Sequence, residues 1–260
     1  LALIFGDEAR QVKVPELLHF GSWVGGDMDG LPDVHAKTIR ESCARHHALI
    51  VNRYFLEALR LAEKLSQSER RTPNIPQPLR DRIEHYKSVV PAARASAPSG
   101  HDEMPYRVLL GQIAERLRAT YDHRSGQYER VEQLTDDLQI IVNSLEANRG
   151  RYAGLFLIRR FLRRVRTFGL HLATLDVRQN AEVHRQIVGR ALAEPGWETR
   201  TAAERVERLR DALARDESPP EVLEAAGKRA LWVFEAMDYC RHRYGQAAVG
   251  SYVVSMARDI

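Results

Sequence analysis

The sequence predicts a mostly α protein with parallel strands, an α/β fold, and three observations carry that expectation. Long stretches place apolar residues three and four apart, the period of a helix with one buried face. Three short runs, at 17–24, 170–177 and 248–256, break that period and read as largely apolar strands. Helical stretches separate these strands, and strands joined through helices pair in parallel. Ligands collect at the carboxyl ends of such strands.

The first run ends in Phe20-Gly21-Ser22-Trp23-Val24-Gly25-Gly26-Asp27-Met28-Asp29-Gly30-Leu31-Pro32-Asp33. Glycines there let the backbone take positive φ or approach a neighbour closely, and Asp33 is a candidate N-cap for the helix that follows. That helix is expected over 34–66, with Ala48, Val51, Phe55, Leu59, Ala62 and Leu65 as its apolar stripe. Pro73, Pro76, Pro78, Pro91, Pro98 and Pro105 punctuate a connector over 67–105, with a short helix at 80–88 and its most flexible part at 96–100.

Helices then follow at 106–121 and 129–148. The second keeps Val131, Leu134, Leu138, Ile141 and Leu145 in register and has Gly150 as its stop. In the next, 152–168, Leu155, Ile158, Leu162 and Val165 share a face, and Gly169 ends it. After the second strand come helices at 181–193 and from Thr201, where Thr201-Ala202-Ala203-Glu204 has the form of a capping box, to about 216. Pro219-Pro220 opens the last helix, which runs to 244 with Ala226, Ala230, Val233, Met237, Cys240 and Tyr244 inward.

The organisation is a strand and glycine-rich turn over 1–34, a helical insertion over 35–150, and two further strands with their helices over 151–260. All three are read as parts of one larger domain. Apolar residues make up 44% of the chain, enough for a sizeable core. The formal net charge of +4 suits anionic small molecules as well as nucleic acid and does not separate them. Cys43 and Cys240 stand far apart in helical patterns, which argues against a disulfide framework and for a reducing, cytoplasmic setting. Residues 1–5 are too short for a secretory h-region, and no apolar run approaches the ~20 residues that span a bilayer, so no membrane is expected. Starting at Leu1 and stopping at Ile260 just after a strand-like run, the chain reads as an internal piece of a longer protein.

Several residues are candidates for chemistry. Asp27, Asp29 and Asp33 suggest a calcium loop, but Leu31 and Pro32 fall where an acidic ligand and the glycine should stand. The ordinary reading is a turn held by Asx-type hydrogen bonds. Arg178, just past the second strand, is suited to grip phosphate or carboxylate with two parallel hydrogen bonds, or to pair with Asp176 or another acid. Arg159, Arg160, Arg163, Arg164 and Arg166 crowd one helix, but its apolar face makes them a solvated or ion-paired side rather than a nucleic-acid interface. His46 and His47 lack a partner at i+4 for a zinc site, and His184 and Arg185, in the helix after Arg178, are placed to flank a site but are read as surface residues. There is no P-loop, G-x-S-x-G or C-x-x-C.

Taken together, four stretches resemble signatures of the phosphoenolpyruvate carboxylase family. Phe20-Gly21-Ser22-Trp23-Val24-Gly25-Gly26-Asp27-Met28-Asp29-Gly30 resembles its F-G-S-W-M-G-G-D-R-D-G-N-P. The stretch from Thr167 through Leu175-Asp176-Val177-Arg178-Gln179 resembles F-G-L-x-L-x-x-L-D-I-R-Q, Tyr252 to Ala257 resembles Y-V-I-S-M-A, and Pro105 to Leu110 resembles P-Y-R-x-L-L. The resemblance implies a (β/α)8 barrel, of which this chain supplies three strands and a large helical insertion. It implies carboxylation of phosphoenolpyruvate with bicarbonate to oxaloacetate and phosphate, with Mg²⁺ or Mn²⁺, in an enzyme that is often a homotetramer.

By the same resemblance Arg178 binds the substrate phosphate, Trp23 belongs to the bicarbonate pocket, and Gly25, Gly26, Asp27, Asp29 and Gly30 shape the active-site mouth. The family's catalytic histidine and metal ligands fall outside the chain. Met28 and Leu31 stand where the family has arginine and asparagine, a loss of cationic charge expected at the mouth. The competing readings are a non-enzymatic helical binding or regulatory module that uses the arginine helix, and an inactive, scaffold-like family member.

Overall fold

The computed structural model describes residue 4 and residues 17–68, 75–95, 103–148, 150–217 and 225–257. The stretch at 96–100, Pro73, and Pro219-Pro220 lie outside these residues, as do most of 1–16. The elements are β1 (Gly21–Ser22), α1 (Ala36–Lys64), α2 (Gln77–Val89), α3 (Pro105–Tyr121), α4 (Val131–Ala147), α5 (Leu155–Phe168), β2 (Thr174–Asn180), α6 (Ala181–Ala191), α7 (Ala202–Ala214), α8 (Ala225–Tyr244) and β3 (Val249–Ser255). The three strands form one parallel sheet in the order β1-β2-β3.

Two apolar cores meet on α1. The larger is built by α1 to α5 and contains Tyr54, Leu61, Tyr106, Ile113, Leu134, Phe161 and Leu170 among its fully buried or nearly buried members. The smaller lies against the sheet and joins Met28, Ile39, Cys43, Leu175, Val177, Val233, Met237, Cys240 and Val249. With 29 residues, α1 is about 44 Å long, so its first turns serve the sheet and the rest serves the helical layer.

Several boundaries differ from the sequence expectation for physical reasons. Only Gly21 and Ser22 of 17–24 are strand, because the chain enters a turn at Trp23. The second strand starts at Thr174 rather than Leu170, since Gly169 and Leu172 both take positive φ and the intervening residues form a tight connection. Asp33 does not cap α1: His35 holds that position, its N–H donating to the Thr38 hydroxyl, which in turn donates to the Asp33 carbonyl. The buried face of α1 is Ile50, Val51, Tyr54, Ala58 and Leu61, whereas Leu59 is exposed. That face includes polar residues with partners of their own. Glu57 faces Arg160 and Arg164, and the Tyr54 hydroxyl donates to the Gly169 carbonyl at 3.0 Å. The α5 stripe is buried as the spacing predicts, as is that of α4 apart from half-buried Val131, whereas α8 buries Val233, Met237 and Cys240 and leaves Ala226, Ala230 and Tyr244 half-buried. Thr201 and Glu204 form the capping box.

Asp176 explains an irregularity in the sheet. The register between β2 and β3 slips between Leu175 and Val177. The Asp176 carboxylate fills the gap by accepting from the Ser251 N–H at 2.9 Å, and it lies where a Cβ on Gly250 would come within 2.3 Å.

The helical layer encloses a charged centre. Asp137 is fully buried and accepts from the Tyr128 hydroxyl at 2.6 Å, the Tyr86 hydroxyl at 2.8 Å and Arg82. Arg116, itself buried, stands 3.9 Å from the same carboxylate and lies over the Tyr128 ring. Burial pushes the Asp137 carboxyl upward while Tyr128 and the two arginines oppose it. Removing one partner from a buried ion pair strands the other. We therefore expect Asp137→Ala to lose about 3–5 kcal/mol of unfolding free energy in urea titration, and a loss below ~1 kcal/mol would show that the cluster holds nothing together.

Four histidines sit where the two cores meet. The His47 ring bonds the Leu170 carbonyl at 2.7 Å and stacks on His123. Burial holds His46, His47, His123 and His171 below the ordinary imidazole range. The folded chain therefore holds protons on these rings less readily than the unfolded chain, which takes them up below about pH 6.5, so stability rises with pH across that window. We expect the melting temperature to fall as pH is lowered from 7.5 to 5.5. A flat profile there would contradict this protonation scheme.

Candidate active site

The polar cluster at the carboxyl ends of the three strands is assembled by the glycine-rich turn. The Gly26 and Asp27 N–H groups both donate to the Trp23 carbonyl, at 2.9 and 3.1 Å. The turn then runs beside the end of β2. Arg178 N–H donates to the Gly26 carbonyl at 2.9 Å and Met28 N–H donates to the Arg178 carbonyl at 2.8 Å, so Asp27 is bridged to Arg178 through the backbone. This contact requires glycine at 26, because a Cβ there would stand 2.2 Å from the Asp176 carbonyl oxygen. Gly25 has φ of +85°, and a Cβ on it would meet the Ser42 hydroxyl.

Side chains complete the bridge. Arg178 Nε and Nη2 donate to the two oxygens of Asp27, each at 2.9 Å, in the bidentate geometry open to a guanidinium. The Trp23 ring lies 5.0 Å from the Arg178 Cζ, within cation–π range. Asp29 ties the turn to the ends of both β2 and β3. Its carboxylate accepts from Asn180 Nδ2 at 3.2 Å and from the Ser255 hydroxyl at 2.7 Å, while its N–H donates to Asp27 Oδ1 at 3.1 Å. Asn180 also caps α6 by accepting from the Glu182 N–H, which fixes the orientation of its amide.

Electrostatics follow the contacts. The hydrogen bond from Arg178 holds Asp27 below the usual carboxylate range, and those from Ser255 and then Asn180 do the same for Asp29. Asp27 raises Arg178 further above its already high range. All three are ionised at neutral pH and partly exposed to solvent.

The residues singled out in the sequence are distributed as follows. Arg178, Trp23, Asp27 and Asp29 come together, with Gly25 and Gly26 forming the turn beneath them. Gly30 is exposed at the rim with φ of +71° and open space where a Cβ would stand. Of the acids weighed for Arg178, Asp27 is the partner and Asp176 is not. Met28 is buried in the smaller core rather than placed at the mouth. Its thioether fills space where a guanidinium would need a buried counter-charge. His184 meets the Tyr252 hydroxyl at 2.9 Å. On the arginine helix, Arg159 pairs with Glu146, and Arg160 and Arg164 face Glu57. Sequence reading missed Asn180 and assigned no role to Ser255. The usable signal was that each is a polar residue closing a strand that enters the same sheet.

Chemically, Arg178 keeps its Nη1 group clear of hydrogen bonds to the described residues and offers two N–H donors to an anion. Asp27 and Asp29 outweigh the one guanidinium, so the three side chains sum to one negative charge. A phosphate bound at Nη1 therefore needs further positive charge from elsewhere. The two carboxylates do not fit a divalent metal, since their oxygens already accept from Arg178, Asn180 and Ser255. Among the described residues no group of three or more His, Cys, Asp or Glu is arranged to hold a metal ion.

Because the neighbour of Gly26 is backbone and cannot yield, Gly26→Ala should break the Arg178 N–H to Gly26 bond. We expect a loss of about 1–3 kcal/mol in denaturant unfolding and a changed fluorescence environment for Trp23. Wild-type stability in that variant would show that the turn does not depend on this close approach.

Comparison with known proteins identifies the family. A family model described as phosphoenolpyruvate carboxylase matches residues 3–260. Among curated relatives, the phosphoenolpyruvate carboxylase of Xanthomonas oryzae pv. oryzae is 42% identical over 246 residues, which cover 95% of this chain and 27% of the relative. That of Aromatoleum aromaticum is 31% identical over 96% of this chain and 28% of its own length, and that of Burkholderia mallei is 29% identical over 98% and 27%. The chain thus spans about a quarter of the length of these relatives. Matched almost from end to end by the family model, the chain belongs to the phosphoenolpyruvate carboxylase family.

Proposed function

We propose that this chain is an internal segment of an active phosphoenolpyruvate carboxylase, and that its strand ends form one side of that enzyme's active site. The reaction joins phosphoenolpyruvate and bicarbonate to give oxaloacetate and phosphate. Phosphoryl transfer to bicarbonate gives carboxyphosphate and the enolate of pyruvate, and the enolate then captures the carbon dioxide released from carboxyphosphate. The observation that carries the reading is the bidentate Arg178–Asp27 pair beneath Trp23, at the carboxyl ends of three parallel strands.

Within that scheme each residue has a limited task. Arg178 presents Nη1 to the substrate phosphate, with its Nε edge held by Asp27. Trp23 covers one face of the guanidinium and borders the bicarbonate pocket. Gly25, Gly26, Asp27, Asp29 and Gly30 shape the mouth. The Mg²⁺ or Mn²⁺ that the family uses would supply charge neutralisation during phosphoryl transfer. Its ligands belong to other parts of the enzyme, as does the catalytic histidine, so the segment alone does not turn over.

The three parallel strands fit consecutive strands of a (β/α)8 barrel, with residues 35–150 as a helical insertion between 1–34 and 151–260. A cytoplasmic homotetramer is the assembly this family membership favours. Among the described residues no helix is long and apolar enough to cross a membrane.

The test is Arg178→Ala in the full-length enzyme. Losing a charged donor to phosphate costs about 1.5–3 kcal/mol. The KM for phosphoenolpyruvate should therefore rise at least tenfold, at ~1.4 kcal/mol per decade, or turnover should be abolished. Near-normal kinetics would remove Arg178 from the site.

A further inference from the structure

We infer that Asp29, Asn180 and Ser255 form a positioning relay that fixes the orientation of Arg178. The inference rests on the reading of Arg178 as a substrate-phosphate ligand. Asp29 Oδ2 stands 3.9 Å from Nη2, beyond hydrogen-bond distance, and the side-chain hydrogen bonds of Asn180 and Ser255 to this cluster go to Asp29 rather than to the guanidinium. They act through Asp27.

The path is continuous and each link has a direction. Ser255, the last residue of β3, donates to Asp29 Oδ2 at 2.7 Å, and Asn180, the last residue of β2, donates to Asp29 Oδ1 at 3.2 Å. With both oxygens engaged, the Asp29 backbone is held so that its N–H meets Asp27 Oδ1 at 3.1 Å. The same Oδ1 accepts from Arg178 Nε, and Oδ2 accepts from Nη2. Asp27 thereby has one rotamer that satisfies all its donors, and the guanidinium has one rotation that satisfies Asp27. The Nη1 edge is aimed before any ligand arrives.

This arrangement has two features that a simple turn would not need. The tie to Ser255 runs 226 positions along the chain, and it reaches the strand farthest from β1 in the sheet. The Asn180 amide is shared between α6 and Asp29, so the helix that follows β2 also helps fix the relay. Freeing a rotamer-rich side chain that binding must then order costs about 0.5–1.5 kcal/mol, which corresponds to a two- to tenfold weaker ligand grip.

The experiment uses the full-length enzyme with Ser255→Ala, Asp29→Asn and Ser255→Thr. Ser255→Ala and Asp29→Asn should raise the KM for phosphoenolpyruvate about three- to tenfold with kcat within about twofold, and Ser255→Thr, which keeps the hydroxyl, should restore the KM. Combined with Arg178→Lys, Ser255→Ala should add less than about twofold, because the group it positions is already altered. Asp29→Asn keeps the size and shape of the side chain and so covers the case in which Ser255→Ala does not fold. If Arg178→Ala raises the KM while Ser255→Ala and Asp29→Asn leave it unchanged, the relay is overturned and the role of Arg178 stands. If the Ser255→Ala effect is fully retained in the Arg178→Lys background, the hydroxyl acts structurally and the relay is again overturned. If Arg178→Ala itself has no effect, the functional reading fails first.

Discussion

The pair of backbone hydrogen bonds that straps the Gly26–Met28 segment onto Arg178 is the contact on which the rest of the strand-end architecture depends. It does what a longer β1 would otherwise do. β1 has only two residues, too few to specify register by themselves. The strap extends the parallel pairing past the turn and forces Asp27 to face Arg178. It also sends Met28 inward to close the smaller core, so the polar cluster and the apolar cluster are two faces of one local conformation. The requirement for glycine at 26 is the covalent signature of that strap, since backbone meets backbone there with no room for a methyl group.

Charge arithmetic shapes what the cluster contributes. Two carboxylates around one guanidinium make a rigid, well-oriented donor rather than an attractive potential. Orientation and attraction are separate tasks in anion binding, and on the function proposed above the described residues supply the first. On the same proposal, the second falls to cations outside the described residues.

Much of the fold was legible because helical periodicity is local. The inward stripes of α4, α5 and α8 could be read from Leu134, Leu162 and Met237 and their neighbours without knowing what they pack against. The stripe of α1 could not, because its inner face includes His47, Tyr54 and Glu57, whose burial depends on partners in α5 and the loop after it. Strand limits were equally hidden: whether Leu170 or Thr174 begins β2 is decided by positive φ at Gly169 and Leu172, a property of the tertiary connection. At the site, Arg178 and the aspartates stood out by residue type and motif, and the choice of Asp27 over Asp176 did not. Alternation along β2 explains that choice, since Asp176 and Arg178 share a face but Asp176 is committed to the bulge beside Ser251. Asn180 and Ser255 escaped notice because a single Asn or Ser carries no signal until the strands are aligned.

The length of α1 has a mechanical consequence. One uninterrupted helix is embedded at its start in the core beneath the glycine turn and over the rest of its length in the five-helix layer. Residues of the same rod are buried in both cores, so displacing it exposes apolar surface in each. That rod runs from Leu61 in the helical layer to Ile39 and Cys43 below the turn. The helical layer is in this sense a handle on the strand ends, set tens of ångströms from the residues it steadies.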